Sequence, residues 1–447
     1  MVHPQNFSAS LHCPNERACP GGNITQTGFE GMCEVGYEGP GCVSCVSTTH
    51  GRESGDPFTC AKCATSTLGK SFEWCAYLLQ HSIVFAVSAS GVIASTDQSY
   101  KSTIHSNQLM AYVMVALPVL NQVSNSQSFK VLAYFGQEVI EALKIPVDVA
   151  NGAGGDGLSS QCLLDYIGIS KTLYGGDILF LILALSLMLL LSLLVDVWSA
   201  VVVACNCYLP RLCFAFGRHL VCYRLSTEDR GGQLFCGFEE DVSMPVPLTI
   251  VLLIIVCVAG PSSWLWLIRH EQITSPGAVY LTGPYKKDHK FWEVTVLLRK
   301  VLLALVSSVW PSSLDAVMQL EFIGLILLIS LVVTLHNRPY LAQEHNRTEE
   351  HLLELGMLMV LATFCFHANE NSWTRMEGTQ RMFLIFIVLL ATGPSLVMTI
   401  RVIRALIDEM RDMCGSSAPD EPVAPDELDE AEEVKETERG EVEDVKS

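Results

Sequence analysis

The chain has 447 residues, half of them apolar and only 17% charged, with a mean hydropathy of +0.34 and a formal net charge of −19. Soluble domains carry about 25% charged residues, so this composition excludes a disordered chain, a collagen, a coiled coil and an ordinary soluble enzyme. The acidity also speaks against nucleic acid as a partner. The expected class is mainly α, a polytopic transmembrane bundle of about nine helices. A small disulfide-rich module precedes the bundle, and a disordered acidic tail follows it.

Residues 1–75 hold eight cysteines: Cys13, Cys19, Cys33, Cys42, Cys45, Cys60, Cys63 and Cys75. So short a segment cannot bury a large core, and this density with interspersed Gly and Pro points to a stapled ectodomain. The stretch from Cys33 to Cys42, with Gly36-Tyr37-Glu38-Gly39 inside it, resembles the last loop of an EGF-like module. Its aromatic residue would pack the turn, and its glycines would permit the tight backbone. A second reading stays open. Cys42-x2-Cys45 and Cys60-x2-Cys63 have nearly the spacing of a zinc ribbon, which requires a reducing compartment. Asn6 and Asn23 head glycosylation triplets. Met1–Ser10 is polar and lacks the apolar core of a secretory signal, so either the first membrane helix does the targeting or the chain lacks its true start.

The apolar runs follow. The first two spans are expected at Ala76–Ser95 and Asn107–Val123, filling residues 76–123, and residues 124–174 form an extracellular loop. The main bundle, 175–404, contains Ile178–Val195, Ser199–Phe216, Val246–Ile268, Trp292–Trp310, Ala316–Leu335, Leu352–Phe366 and Met382–Ile403. Nine spans put the termini on opposite sides of the membrane. With the Cys-rich end outside, Arg269, Lys286, Lys287, Lys290, Arg338, Arg347, Arg401 and Arg404 fall inside, as the distribution of basic loops requires. The same topology leaves Cys222 and Cys236 on the oxidising side, where they can pair. Cys205, Cys207, Cys213, Cys257 and Cys365 lie in or between apolar runs and read as packed, inert thiols.

Several charges interrupt these runs. Arg299 and Lys300 lie about 12 Å along the Trp292 helix, Glu293 shares a face with Lys300 seven residues away, and Glu321 lies in the next span. Intramembrane charges are costly and usually face a bundle interior or water. They read either as an ion or solute path or as a structural pair between helices. Gly260-Pro261 breaks the Val246 span, as a hinge or as a packing device.

Residues 405–447 form the cytoplasmic tail. Its last 28 positions carry 13 acidic and 3 basic residues and almost nothing apolar, the composition of a disordered segment.

Several of these motifs occur in the order seen in one family. Trp292-Glu293 followed by Leu298-Arg299-Lys300, then Arg338-Pro339-Tyr340 with Asn346 and Glu349, form a WE…LRK and RPY…N..E series. Lys101 and Gln108, the Gly260-Pro261 kink and the upstream Gly-Tyr-x-Gly-x-x-Cys module complete it. The segment from about Cys33 to Arg404 resembles large multi-pass protist membrane proteins of the transient receptor potential (TRP)-like, polycystin-like type. Those are distantly similar to fungal flavin-carrier membrane domains. The resemblance implies a cation channel or transporter subunit in the plasma membrane or an endomembrane. The links Pro311–Asp315 and Asn369–Gln380, however, are too short to hold a pore helix and a selectivity filter with ease.

No nucleotide loop, zinc-protease or nucleophile-elbow motif is present, so no catalytic residue, metal ligand or cofactor is expected. The glycine-rich Gly152–Gly157 follows no strand and reads as a linker. Membrane lipids, a ligand at the Cys-rich module and a second copy of the chain are the expected partners. The rival functions are a surface receptor or adhesion protein with a non-conducting bundle, and a lipid or small-solute carrier.

Overall fold

The computed structural model describes residues 2–3, 6–10, 15, 18–19, 33–46, 48–53, 56–94, 101–125, 159–169, 172–224, 234–236, 245–270, 276–370 and 377–415. Cys13, Asn23, Gly152–Gly157 and the stretch from Asp420 onward lie outside them. The chain divides into two compact units, Met1–Val402 and Ile403–Ser447. In the second, the described part is the end of one helix.

The helices are α1 (Thr67–Ala94), α2 (Lys101–Asn125), α3 (Ser160–Tyr166), α4 (Leu173–Ser192), α5 (Val197–Gly217), α6 (Val246–His270), α7 (Pro276–Thr282), α8 (Trp292–Val309), α9 (Ala316–Asn337), α10 (Gln343–Glu370) and α11 (Glu377–Gly415). Each expected apolar run overlaps one of the nine helices of 18 residues or more found among the described residues. Seven of these, all but α2 and α8, are long and apolar enough to cross a membrane, which is compatible with an integral membrane protein. The two others differ for one physical reason. They lie largely among other helices, so polar side chains can face protein instead of lipid: Asn107, Gln108 and Gln122 on α2, and Glu293, Arg299 and Lys300 on α8, are all buried. By contrast, α4, α6, α9 and α11 expose rows of large apolar residues such as Leu189, Ile254, Ile329 and Leu389.

Local signals explain the tight connections. Asp196 caps α5 by accepting from Ser199 N at 2.9 Å, so only four residues separate α4 from α5. Asp315 caps α9 in the same way through Met318 N at 3.0 Å. Arg338 ends α9 in the left-handed conformation, at φ 41°. At the core, α5 packs against α1, α4, α6 and α8. The approach of α5 to α8 is close: a Cβ on Gly217 would stand 2.0 Å from Ser308 Oγ, so only glycine is accommodated there without a shift.

The small strands pair locally. Tyr37–Glu38 (β3) pairs with Ser44–Cys45 (β4), His50–Arg52 (β5) with Cys60–Lys62 (β6), and Cys222–Arg224 (β7) with Leu234–Cys236 (β8), following a first pair at Val2–His3 (β1) and Asn6–Ser10 (β2), which carries Asn6. Gly36, Gly39 and Gly41 all have positive φ, as the turn between Cys33 and Cys42 requires. Tyr37 OH accepts the Cys60 N–H at 3.1 Å.

The cysteines settle into disulfides, which leaves no thiolates for the zinc alternative. Cys33 pairs with Cys42, Cys45 with Cys60, Cys63 with Cys162 and Cys222 with Cys236, and Cys19 is also disulfide-bonded. Cys75 is corrected: it is a free, exposed thiol on α1. Cys63 pairs instead with Cys162 on α3, a cysteine for which the sequence offered no partner. The boundaries of residues 1–75, 124–174 and 405–447 also shift, because α1 begins at Thr67, α2 runs to Asn125, α4 begins at Leu173 and α11 continues to Gly415. The span expected at Leu352 begins nine residues earlier, at Gln343, because Glu349 and Asn346 find buried partners.

Candidate functional site

The module, α3, the β7–β8 hairpin and the loop between α8 and α9 meet at one end of the first unit. Val43 and Phe58 pack with Val221, Tyr223 and Leu314. Asp56 reaches into the α8–α9 loop. Its Oδ2 accepts from Ser312 Oγ and Ser313 N, both at 3.2 Å, and its Oδ1 accepts from Ser313 Oγ at 2.8 Å and Phe58 N at 2.9 Å. Burial nevertheless pushes its carboxyl above the ordinary 3.8, because the four donors offset only part of the lost hydration. Arg52 fixes the same corner by donating to the carbonyls of Val43 and Pro57.

At the opposite end, the residues of the WE…LRK and RPY…N..E series come together. Trp292 and Tyr340 share a cluster with Ile104, Tyr285 and Val296. Asn346 holds the Tyr340 backbone twice, through Oδ1 to its N–H at 3.0 Å and through Nδ2 to its carbonyl at 2.9 Å. The Arg338 and Pro339 carbonyls receive Lys286 Nζ at 2.6 Å and Lys286 N at 2.9 Å. Gln108 Nε2 donates to the His345 carbonyl at 3.0 Å. Lys101 is exposed at the start of α2 and takes no part in this set of bonds. Gly260 is a packing device: a Cβ there would meet Leu209 Cδ2 at 2.6 Å, while α6 continues as helix through Pro261.

Between the two ends lies a buried polar network. Tyr285 OH donates to Glu293 Oε2. Asn107 Nδ2 donates to Glu293 Oε1 at 3.2 Å and to Tyr280 OH at 3.1 Å. Asn206 Nδ2 reaches Asn107 Oδ1 at 2.7 Å and Tyr280 OH at 2.9 Å. Lys300 Nζ then donates to Asn206 Oδ1 at 2.9 Å. Arg299 leaves this chain of bonds and pairs with Glu349 on α10. Glu321 is exposed on α9, one turn from its start, and joins none of these groups.

Lys300, 1% exposed, is among the residues that line a cavity of about 80 Å3, enough for several waters. Lys300 stands halfway along α8, and the lining also includes Met114, Phe214 and Ser307 and extends to Ser312 in the loop that Asp56 holds. Among the described residues the cavity's charged lining groups are Lys300 and Arg211, and no carboxylate lines it.

The sequence pattern missed Asn107, Asn206, Tyr280, Tyr285 and Asp56. An amide in an apolar run, such as Asn206 within Ser199–Phe216, was the available signal. Tyr280 carried none, because its short helix α7 lies between spans. Also missed was Asp177 at the start of α4, which pairs with Arg218 and His219, all three buried just beyond the expected span ends. His81 packs against Tyr77 and Phe180, and His105 against His345. Among the described residues no cluster has the makings of a metal site. Comparison of the chain with protein-family models, with curated proteins and with solved structures found no match.

Proposed function

We propose that the chain is a multi-pass membrane transporter subunit that admits a small solute into its bundle from the side of the disulfide-rich module. The observation that carries this reading is the cavity that Lys300 lines. A buried ammonium with hydrogen-bonding capacity to spare is costly in a bundle that serves only as an anchor.

In this reading all nine long helices cross the bilayer. At 1.5 Å per residue, α2 and α8 are about 37 and 27 Å long, close to the thickness of the hydrocarbon core. Alternating passage then leaves the module, α3, the β7–β8 hairpin and the α8–α9 loop on one side. The contacts among these four elements support that arrangement. Their disulfides make it the extracellular or lumenal side. Arg269, Lys286, Arg338, Arg347 and Arg401 fall on the other, cytoplasmic side.

Uptake of radiolabelled small solutes into proteoliposomes tests the reading. It fails if correctly oriented wild-type protein moves none of them faster than empty liposomes. Maleimide labelling of single cysteines placed in the α8–α9 and α9–α10 loops tests the topology. Labelling of both from the same side overturns it.

A second reading, a TRP-like cation-conducting subunit, is favoured by the contact between the two halves of the motif series, Trp292 with Tyr340 and Arg299 with Glu349. Its test is a cation current in liposomes that is lost in an Arg299→Leu/Lys300→Leu protein. The cationic lining of the cavity weighs against a cation path through it.

A further inference from the structure

We infer that the solute held in this cavity is a small monovalent anion, a halide or a short carboxylate, bound by the Lys300 ammonium. The inference rests on the reading of the cavity as a solute site.

The argument begins with donors and acceptors. An ammonium has three N–H groups and no acceptor. Lys300 gives one of them to Asn206 Oδ1 at 2.9 Å, and no other acceptor within hydrogen-bond distance engages Nζ among the described residues. Two donors are therefore left for the cavity that the side chain lines.

The available carboxylates are already engaged. Glu349 is paired with Arg299. Glu293 is about 10 Å from Lys300 along α8, and its two oxygens are taken by Tyr285 and Asn107. It softens the field at Lys300 without closing on it. The other charged lining group, Arg211, lies over the Phe180 and Phe214 rings. A cation entering would meet the Lys300 charge, with no carboxylate among the described lining residues. An anion would complete the hydrogen bonding of a buried ammonium, and charge-assisted bonds of that kind are the strong ones.

Size narrows the class. A volume of about 80 Å3 suits an anion of one to a few heavy atoms, and Ala304, one turn from Lys300 on the same helix, leaves that space open. Ser307 supplies a hydroxyl further along the wall.

The test uses the full chain purified into lipid nanodiscs. Thermal unfolding is followed by tryptophan fluorescence while sodium formate or sodium chloride replaces sodium gluconate, a larger anion, at constant ionic strength. Saturable stabilisation by formate, chloride or both is expected, and the two salts separate a carboxylate preference from a halide preference. Lys300→Met should weaken the apparent affinity by at least about tenfold. Ala304→Phe, which keeps the charge and fills the space, should do the same, and it decides the matter if the lysine variant does not fold. No saturable effect in the wild type, or an unchanged one in Ala304→Phe, overturns the anion assignment. Uptake of labelled formate and of labelled urea by proteoliposomes separates this from the transport reading. Urea uptake without formate binding would leave transport standing and remove the anion. Formate binding with no uptake of either would keep the anion site and remove transport.

Discussion

Arg299 and Lys300 are consecutive in sequence and serve opposite neighbours of α8: Arg299 pairs with Glu349 on α10, whereas Lys300 donates to Asn206 on α5. A helix turns about 100° per residue, so adjacent side chains meet different partners. The first is a structural tie. The second faces a cavity.

The Arg299–Glu349 pair should therefore behave as a buried ion pair. Removing one partner leaves an uncompensated charge. Arg299→Met is expected to cost about 3–5 kcal/mol, while Arg299→Met with Glu349→Leu recovers most of that loss. Thermal unfolding in detergent gives the comparison. Additive losses in the double variant would show that the two side chains do not act as a pair.

Cys63–Cys162 ties the module to α3 across a sequence separation of 99. Chain entropy for a loop of that length amounts to about 4.7 kcal/mol, so Cys162→Ala should lower the unfolding midpoint markedly. Peptide mapping without reductant should recover the α3 peptide joined to the one ending β6. Cys75 should react with maleimide in the unreduced protein. A Cys63–Cys75 linkage in the map would contradict this arrangement.

Asp56 gives a pH dependence of defined sign. Its carboxyl in the folded protein lies above the ordinary 3.8, so the folded state holds the proton more tightly than the unfolded chain does. Its contribution to stability is complete below 3.8 and is lost as pH rises through the raised value. Docking of the module on the α8–α9 loop should accordingly tighten on mild acidification from neutral pH. Hydrogen exchange at Ser313 N–H measures it, and Asp56→Asn should flatten the profile. A wild-type profile that loosens with acid would reverse the sign.

Gly260 should tolerate no side chain. Its Cβ would stand 2.6 Å from Leu209 Cδ2, so Gly260→Val is expected to cost about 1–3 kcal/mol by overpacking. Pairing it with Leu209→Ala should restore part of the loss. If Gly260→Val alone leaves the unfolding midpoint unchanged, the α5–α6 contact is looser than the structure describes.

Much of the architecture was legible in the pattern of residues. A run of about 20 apolar residues has few fates, so the helices at Ile178, Val246, Ala316 and Met382 could be read directly. The Cys222–Cys236 disulfide followed from the side of the membrane expected for its loop, and the Cys33–Cys42 turn from its glycines. The weakest reading was at the module's edge. Cys63 could be counted there, but its partner was 99 residues away in a segment with no apolar signal. The network was half visible. Glu293, Arg299 and Lys300 stood out because charge in an apolar run is rare, while Asn107, Asn206 and Tyr280 are ordinary residues until three helices bring them within hydrogen-bond distance of one another.

The sequence by itself determined the helical class, the apolar surfaces and the presence of charge within the bundle. Each depends on composition or on spacing of a few residues, which local physics reads. Tertiary structure alone decided that Arg299 is paired and Lys300 is not, that Cys162 and not Cys75 completes the module's staple, and that Asp56 anchors it beside the cavity. Those outcomes depend on which of several chemically similar groups arrive at one point in space. Arrival is fixed by packing across the whole bundle, where close contacts such as Gly217 on Ser308 and Gly260 on Leu209 set the helices in place.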